Sequence, residues 1–169
     1  KVGQSVRTVT ESTNYAKDDL HLHVALLETR HLCGSAELYA QLEAKTAALL
    51  SGQAWKPFAR AIVESQRKRR EKAGGSAYLQ EPDLKNGVGA LRDVQGCIWI
   101  ARTARNGVGP AGLAASGFLP SVDLQKFEEA NQVLLRLRCE LHFQVTRPTE
   151  QLSLERQNTM SEGLGYRGT

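Results

Sequence analysis

A chemically dense stretch lies near the middle of the chain, at residues 81–93. It reads Glu81-Pro82-Asp83-Leu84-Lys85-Asn86-Gly87-Val88-Gly89-Ala90-Leu91-Arg92-Asp93. Gly87 and Gly89 allow the backbone to take a positive φ or to approach another group closely. A glycine turn that feeds a helix N-terminus offers free backbone N–H groups to an anion, and Lys85 and Arg92 would add full charges. The stretch predicts a phosphate site, and an ordinary helix-initiating loop is the alternative.

Two familiar nucleotide motifs are excluded at this stretch. No Gly-Lys-Ser/Thr follows the first glycine at the spacing of a P-loop, and no strand-like run precedes it as a dinucleotide fingerprint requires.

The three cysteines, Cys33, Cys97 and Cys139, are far apart and lack metal-ligand spacing. We expect them to be reduced and mostly buried, which suits a cytoplasmic protein, and we expect no zinc site.

A second charged feature is the basic run at residues 67–72, Arg-Lys-Arg-Arg-Glu-Lys, in a chain of net charge +4. Such a run can bind a nucleic-acid backbone. More often it is the solvated end of a helix, where cations also complement the dipole. We favour the solvated helix end and expect no membrane segment, because no apolar run approaches the roughly 20 residues that span a bilayer.

The elements that must position these residues are predicted to be helices. Thr8 with Glu11 forms a capping-box pattern, Asp18 and Asp19 suit the start of a second helix that Gly34 would end, and Ser35 suits a third start. Later helices are expected from Trp55 to residue 72, over residues 91–101, from an N-cap at Ser121 to residue 145, and from about residue 150 to 164. Residues 107–117 are predicted to be a connector. No alternating strand pattern is found, and the fold is predicted to be all-α: an irregular bundle of six or seven helices.

Several stretches resemble bacterial PII uridylyltransferase/uridylyl-removing enzymes, in the order in which that family has them. Residues 81–95 resemble the family's Glu-Pro-Asp-x-Lys-x-Gly-x-Gly-Gly-Leu-Arg-Asp-x-Gln signature, with Ala90 in place of its last glycine. The other similar segments are Val2-Gly3-Gln4-Ser5-Val6-Arg7-Thr8, Leu26-Leu27-Glu28-Thr29-Arg30, Trp99-Ile100-Ala101-Arg102, Gly117-Phe118-Leu119, Arg136-Leu137-Arg138 with Leu141-His142, and Gln157 with Leu164-Gly165-Tyr166. A shorter form of the signature also recurs in glutamine synthetase adenylyltransferases.

This resemblance implies a piece of a larger nucleotidyltransferase, which fits a chain that does not begin with Met. Residues 1–7 would leave an upstream α/β nucleotidyltransferase domain, and residues 8–169 would form the helical domain. The parent enzyme would transfer UMP from UTP to a PII-type nitrogen-signalling protein with Mg²⁺, and would have its metal-binding carboxylates upstream. The fragment alone is expected to be inactive.

The resemblance also assigns candidate nucleotide- or phosphate-binding residues. They are Lys85, Gly87, Gly89, Arg92, Asp93, Ser5 and Arg7. Asp93 has a competing role as a helix N-cap or as the buried partner of Arg92.

Two alternatives to this function stay open. One is a non-catalytic helical interaction module that binds a partner protein, or RNA through residues 67–72. The other is the helical domain of a diverged nucleotidyltransferase with another nucleotide or acceptor protein. A Gly-Ser motif and paired aspartates upstream of Lys1 would favour the enzyme, and affinity that falls steeply with salt would favour RNA.

Overall fold

A computed structural model describes residues 4–105, 113, 117 and 119–165. The described residues form an all-α fold, as predicted. Within them the β-type pairing is one isolated antiparallel bridge, Asp83 with Gln151. The helices are α1 (Val9–Asp18), α2 (Leu20–Leu27), α3 (Ala36–Leu49), α4 (Trp55–Lys72), α5 (Leu91–Arg105), α6 (Ser121–Gln144) and α7 (Leu154–Gly163).

The three helix starts predicted from capping residues are confirmed. Thr8 Oγ1 accepts from the Glu11 backbone N–H at 3.2 Å, and the Glu11 carboxylate accepts from the Thr8 N–H at 2.8 Å, which completes the capping box. Asp19 accepts from two N–H groups at the start of α2, and Ser35 accepts from one at the start of α3. These starts are readable from sequence because the donor and acceptor are at most three residues apart.

Four helix boundaries differ from the prediction, and one of them is the end of α5, which runs to Arg105 and not to residue 101. The second helix was expected to run to Gly34, but α2 ends at Leu27, where Arg102 donates to the Leu27 carbonyl at 2.6 Å and satisfies an end-of-helix acceptor. Ser121 is the first residue of α6 and not its N-cap, which is Pro120. The last helix begins at Leu154 and not near residue 150, because residues 150 and 152 make backbone hydrogen bonds to residues 82–84.

The buried apolar residues form two clusters. The first joins α4 to α5 and the end of α3, and contains Leu50, Phe58, Ile62 and Trp99. The second joins α6 and α7 to the segment before α5, and contains Leu84, Leu141, Leu152 and Met160. Helix α5 is central among the described helices, because it packs on α2, α4 and α6.

Other expectations fare differently. The prediction of mostly buried cysteines is wrong, because all three side chains are exposed. Nearly all of the connector predicted for residues 107–117 lies outside the described residues. No described helix is long and apolar enough to cross a bilayer.

Candidate functional site

The motif segment, residues 81–93, is a compact turn built around Asp83. The Asp83 carboxylate accepts from the backbone N–H groups of Lys85 at 2.8 Å and Asn86 at 2.6 Å. Burial acts to raise the pKa of Asp83, but the hydrogen bonds from Asn86 and Lys85 lower it below its ordinary value. Asp83 is therefore an ionised turn-forming residue, of the kind in which an Asp side chain bonds its own backbone two and three residues on.

A different structural constraint requires glycine at each of the two glycine positions of the segment. Gly87 donates its N–H to the Asp83 carbonyl at 3.1 Å, and a Cβ added at Gly87 would lie 2.7 Å from that oxygen. Gly89 has a φ of +74°, the left-handed region that L side chains rarely adopt. Close approach and positive φ, the two properties predicted for these glycines, are thus each confirmed at one of them.

The backbone donors of the motif segment are already used within the protein. From Lys85 to Asp93, Val88 alone among these described residues donates no backbone hydrogen bond. The expectation that this turn offers free N–H groups to an anion is therefore wrong. The physical reason is that the carboxylates of Asp83 and Asp93 and the carbonyls of residues 83–90 accept these bonds. A phosphate would have to be met mainly by side chains.

Asp93 is held by two arginines from the end of α4. Arg69 forms an ion pair with Asp93 and also donates to the Asn86 carbonyl at 2.5 Å. Arg70 Nε donates to both Asp93 oxygens, at 3.1 and 2.9 Å. Burial acts to raise the pKa of Asp93, but hydrogen bonds from Arg69, Gly89 and Arg70 lower it below its ordinary value. The Asp93 carboxylate thus connects the motif segment to α4 through ion pairs.

The pairing of Asp93 with Arg92 is a prediction that the structure contradicts. Arg92 donates to Gln95 at 2.9 Å and its guanidinium lies 5.7 Å from the centre of the Trp99 ring. The Arg92 carbonyl accepts from Gln66 of α4 at 3.1 Å. Neighbours in a helix point their side chains in different directions, so Arg92 and Asp93 diverge while α4 supplies the cations.

The basic run at residues 67–72 is divided between two roles. Arg67 and Lys68 are exposed and form ion pairs with acids of their own helix, as a solvated helix end does. Arg69 has only 18% of its side chain exposed and points at the motif segment. The run was not linked to the motif segment from sequence, because 24 residues separate Arg69 from Asp93.

A second anchor comes from residues 150–152, which pair with residues 82–84. The Leu84 N–H donates to the Glu150 carbonyl at 2.8 Å, and the Leu152 N–H donates to the Pro82 carbonyl at 2.9 Å. The Glu81 carboxylate accepts from the backbone N–H of Leu154, the first residue of α7, at 2.9 Å. The motif segment is therefore fixed at both ends, to α4 and to α7.

Glu150 is the centre of a cationic cluster that sequence reasoning missed. Arg138 donates to both carboxylate oxygens at 2.7 Å, His142 Nε2 lies 3.5 Å away, and Lys85 Nζ lies 3.9 Å away. Hydrogen bonds from Arg138 lower the pKa of Glu150 below its ordinary value and outweigh its burial. The sequence offered one hint of this cluster: Arg138 follows Leu137, an apolar residue of α6 that packs against the second buried cluster.

Ser5 and Arg7, the two candidates before α1, lie apart from this arrangement. Both are exposed, and Arg7 lies over the Tyr15 ring at 5.6 Å from its centre. Among the described residues no hydrogen bond or ion pair links either of them to the motif segment. The structure thus brings together Lys85, Gly87, Gly89, Arg92 and Asp93. Nucleotide contact by any of the seven candidates stays a prediction.

A groove of about 1080 Å³ opens beside the motif segment, between α2, α4 and the start of α5. Asp83, Asn86 and Arg92 line it from the motif segment, and Arg69 and Trp99 line it from α4 and α5. Among the described residues no group of three or more His, Cys, Asp or Glu side chains is placed to hold a metal ion. The site so far is a clamped, cation-rich turn at the edge of a groove.

Comparison with known proteins places this arrangement in a class. The family model described as GlnD PII-uridylyltransferase matches residues 57–169, which include the whole motif segment. A bifunctional uridylyltransferase/uridylyl-removing enzyme of Cereibacter sphaeroides is 36% identical over 169 residues, all of this chain. Enzymes of the same name from Bradyrhizobium sp. (strain ORS 278) and Rhodospirillum rubrum are 35% and 34% identical over 98% of it. No solved structure matches the chain.

The residues that build the glycine turn and the helices around it thus align with proteins named as uridylyltransferases. The chain belongs to the GlnD PII-uridylyltransferase family. It spans about 18% of the length of the curated relatives named above.

Proposed function

We propose that the chain is the helical domain of a protein nucleotidylyltransferase that transfers UMP from UTP to a PII-type signalling protein. The observation that carries the proposal is the alignment of the entire chain with an enzyme named for uridylyl transfer and removal. In the forward step a tyrosine oxygen of the acceptor would form a bond to the α-phosphorus of UTP. The bond from that phosphorus to the β-phosphate oxygen would break, pyrophosphate would leave, and the tyrosine would lose its proton.

The catalytic metal chemistry belongs outside this chain in the proposal. The proposal puts Mg²⁺ in an upstream nucleotidyltransferase domain, since among the described residues no group of three or more His, Cys, Asp or Glu side chains is placed to hold a metal ion. Residues 1–7 would leave that domain, and residues 8–169 would form the helical domain. The chain by itself would transfer no UMP. A cytoplasmic location remains a prediction.

The role of the motif segment in this proposal is electrostatic. Phosphoryl transfer asks a protein mainly to position the phosphates and to stabilise their charge. Lys85 and Arg92 are the two cations of the motif segment that would contact the phosphates. The nearby Arg69 and Arg70 of α4 pair with Asp93 instead. Gly87, Gly89 and Asp93 would shape the turn that presents these two cations, and Ser5 and Arg7 would line the same cleft from the upstream side.

The proposal is tested with Lys85→Ala in the full-length parent protein. Loss of a cation that binds the triphosphate should lower UMP incorporation into a PII protein about tenfold at UTP concentrations well below KM, because the phosphates lose a charge-assisted hydrogen bond. The measurement is transfer of radiolabelled UMP. Lys126→Ala is the matched control, because Lys126 is exposed and, among the described residues, forms its ion pair with Asp123 of its own helix. Normal turnover in Lys85→Ala would remove Lys85 from the site.

A further inference from the structure

Lys85 is the motif cation whose donors are least committed. Its ammonium group lies 3.9 Å from Glu150 Oε1, which is beyond hydrogen-bond distance, and 35% of its side chain is exposed. Asp83 is the other carboxylate whose charge acts on Lys85. The Asp83 oxygens, however, accept hydrogen bonds from the backbone of Lys85 and from Asn86. The ammonium is thus attracted by charge and keeps its N–H donors for another acceptor.

Glu150 is itself held rigidly. Two hydrogen bonds of 2.7 Å from Arg138 fix the plane of its carboxylate, in the bidentate geometry that makes such pairs strong and directional. Its main chain is fixed as well, because its carbonyl accepts from the Leu84 N–H, one residue before Lys85. His142 Nε2 lies 3.5 Å from the same carboxylate and donates to the Thr149 carbonyl oxygen at 3.1 Å.

We propose that Glu150 is a positioning residue for Lys85: its carboxylate, oriented by Arg138, holds the Lys85 ammonium at one place beside the motif segment, so that a triphosphate meets a pre-oriented cation. The inference rests on the proposed function, since it assigns Lys85 to the phosphates of UTP. A pre-oriented charge needs no reorganisation when the ligand arrives, which is the property that makes such groups effective. Because Arg138 pairs with the same carboxylate, we expect its attraction for Lys85 to be no larger than that of a partly exposed ion pair.

The test uses the full-length parent protein and a double-mutant cycle of Glu150→Gln with Lys85→Ala. Glu150→Gln keeps the side-chain shape but removes the charge. It should raise the KM for UTP about fivefold, the size of a favourable partly exposed ion pair, and leave kcat within about twofold. In the Lys85→Ala background Glu150→Gln should have no further effect. A purely structural role would instead give the same change in both backgrounds.

Binding of inorganic triphosphate, measured by calorimetry, is the second readout and does not depend on UMP transfer. Suppose that triphosphate affinity shows coupling between positions 85 and 150, but the wild type does not label a PII protein. The inference would then stand, and the proposed function would be wrong. Labelling by the wild type with additive effects of the two substitutions would do the reverse. An unchanged KM and triphosphate affinity in Glu150→Gln would also overturn the inference.

Two further variants keep the test decisive. Glu43→Gln, an exposed acid in the middle of α3, should change neither readout. If Glu150→Gln fails to fold, as judged by circular dichroism, Arg138→Lys replaces it, because a lysine keeps the charge but cannot make the bidentate pair. Arg138→Lys should then raise the KM for UTP by a smaller factor, and an unchanged KM in that variant would contradict the proposal.

Discussion

At the scale of single residues, the Asp93 side chain joins the motif segment to α4. One carboxylate accepts from two arginines of α4 and from the Gly89 N–H. The Asp93 side chain is only 13% exposed. Loss of its charge would leave the largely buried Arg69 guanidinium without its anionic partner. Asp93 therefore has a structural duty that is separate from any contact with nucleotide.

Replacement of Asp93 by Asn should have an effect that depends on pH. At pH 7 the variant should lose about 2 kcal/mol of unfolding free energy, the usual value for hydrogen bonds to a charged group. Because the pKa of Asp93 is lowered in the folded state, its contribution is present above the unfolded pKa and is lost as pH falls through the folded pKa. The difference between wild type and variant should therefore shrink below about pH 4.

Urea unfolding at pH 7 and at pH 3 measures this difference. Asp18→Asn, at the exposed end of α1, is the control and should stay within about 0.5 kcal/mol of the wild type at both pH values. A difference for Asp93→Asn that is the same at both pH values would show that the charge of Asp93 is not what fastens the turn.

At the scale of elements, the decisive contact is the close approach of α4 and α5. Gly96 lies in α5 and is buried, and a Cβ built there would lie 1.5 Å from Nε2 of Gln66 in α4. Gln66 uses that nitrogen to donate to the Arg92 carbonyl. The glycine thus makes room for a polar side chain that joins the two helices directly behind the motif segment.

Gly96→Ala should therefore make two opposite contributions to the free energy of unfolding, and a second substitution separates them. In the wild type the new methyl group would displace Gln66 and cost a hydrogen bond of about 1 kcal/mol, which offsets a gain of about 1 kcal/mol in helix propensity. In a Gln66→Ala background only the gain should remain, so Gly96→Ala should stabilise the chain by about 1 kcal/mol. Urea unfolding of the four proteins measures both effects, and equal effects in the two backgrounds would refute the account.

At the scale of the whole molecule, the motif segment stands between two apolar clusters. Leu84 belongs to the cluster of α6 and α7, while Trp99, near Arg92, belongs to the cluster of α3, α4 and α5. The segment that carries the candidate site is thus part of the packing that joins the second half of the chain to the first. Its geometry depends on both clusters.

Leu141→Ala and Ile62→Ala should loosen the two halves unequally. Leu141 is fully buried beside Leu84, and its truncation should cost about 3 kcal/mol. Hydrogen exchange of the Leu84 and Leu152 amides, which pair with residues 150 and 82, should accelerate more in Leu141→Ala than in Ile62→Ala, because Ile62 lies in the other cluster. Equal acceleration would mean that the two clusters open as one unit.

Local features of this protein were predictable from its sequence. The capping residues Thr8, Asp19 and Ser35 act on N–H groups at most three residues away, so their patterns mark helix starts wherever they occur. The same holds for Gly87 and Gly89, whose need for close approach or positive φ is imposed by the turn in which they lie. The all-α class followed from the same short-range periodicity.

Tertiary structure alone decided the partners of the charged residues. Arg69 and Arg70 reach Asp93 across more than twenty residues, Arg102 ends α2 from 75 residues away, and Glu150 gathers Arg138 and Lys85. Any arginine can pair with any carboxylate, so the choice is made by how helices pack and not by residue type. For this reason the sequence by itself determined the helices, the turn and the family resemblance, while only the folded chain determined which carboxylate each of these cations pairs with.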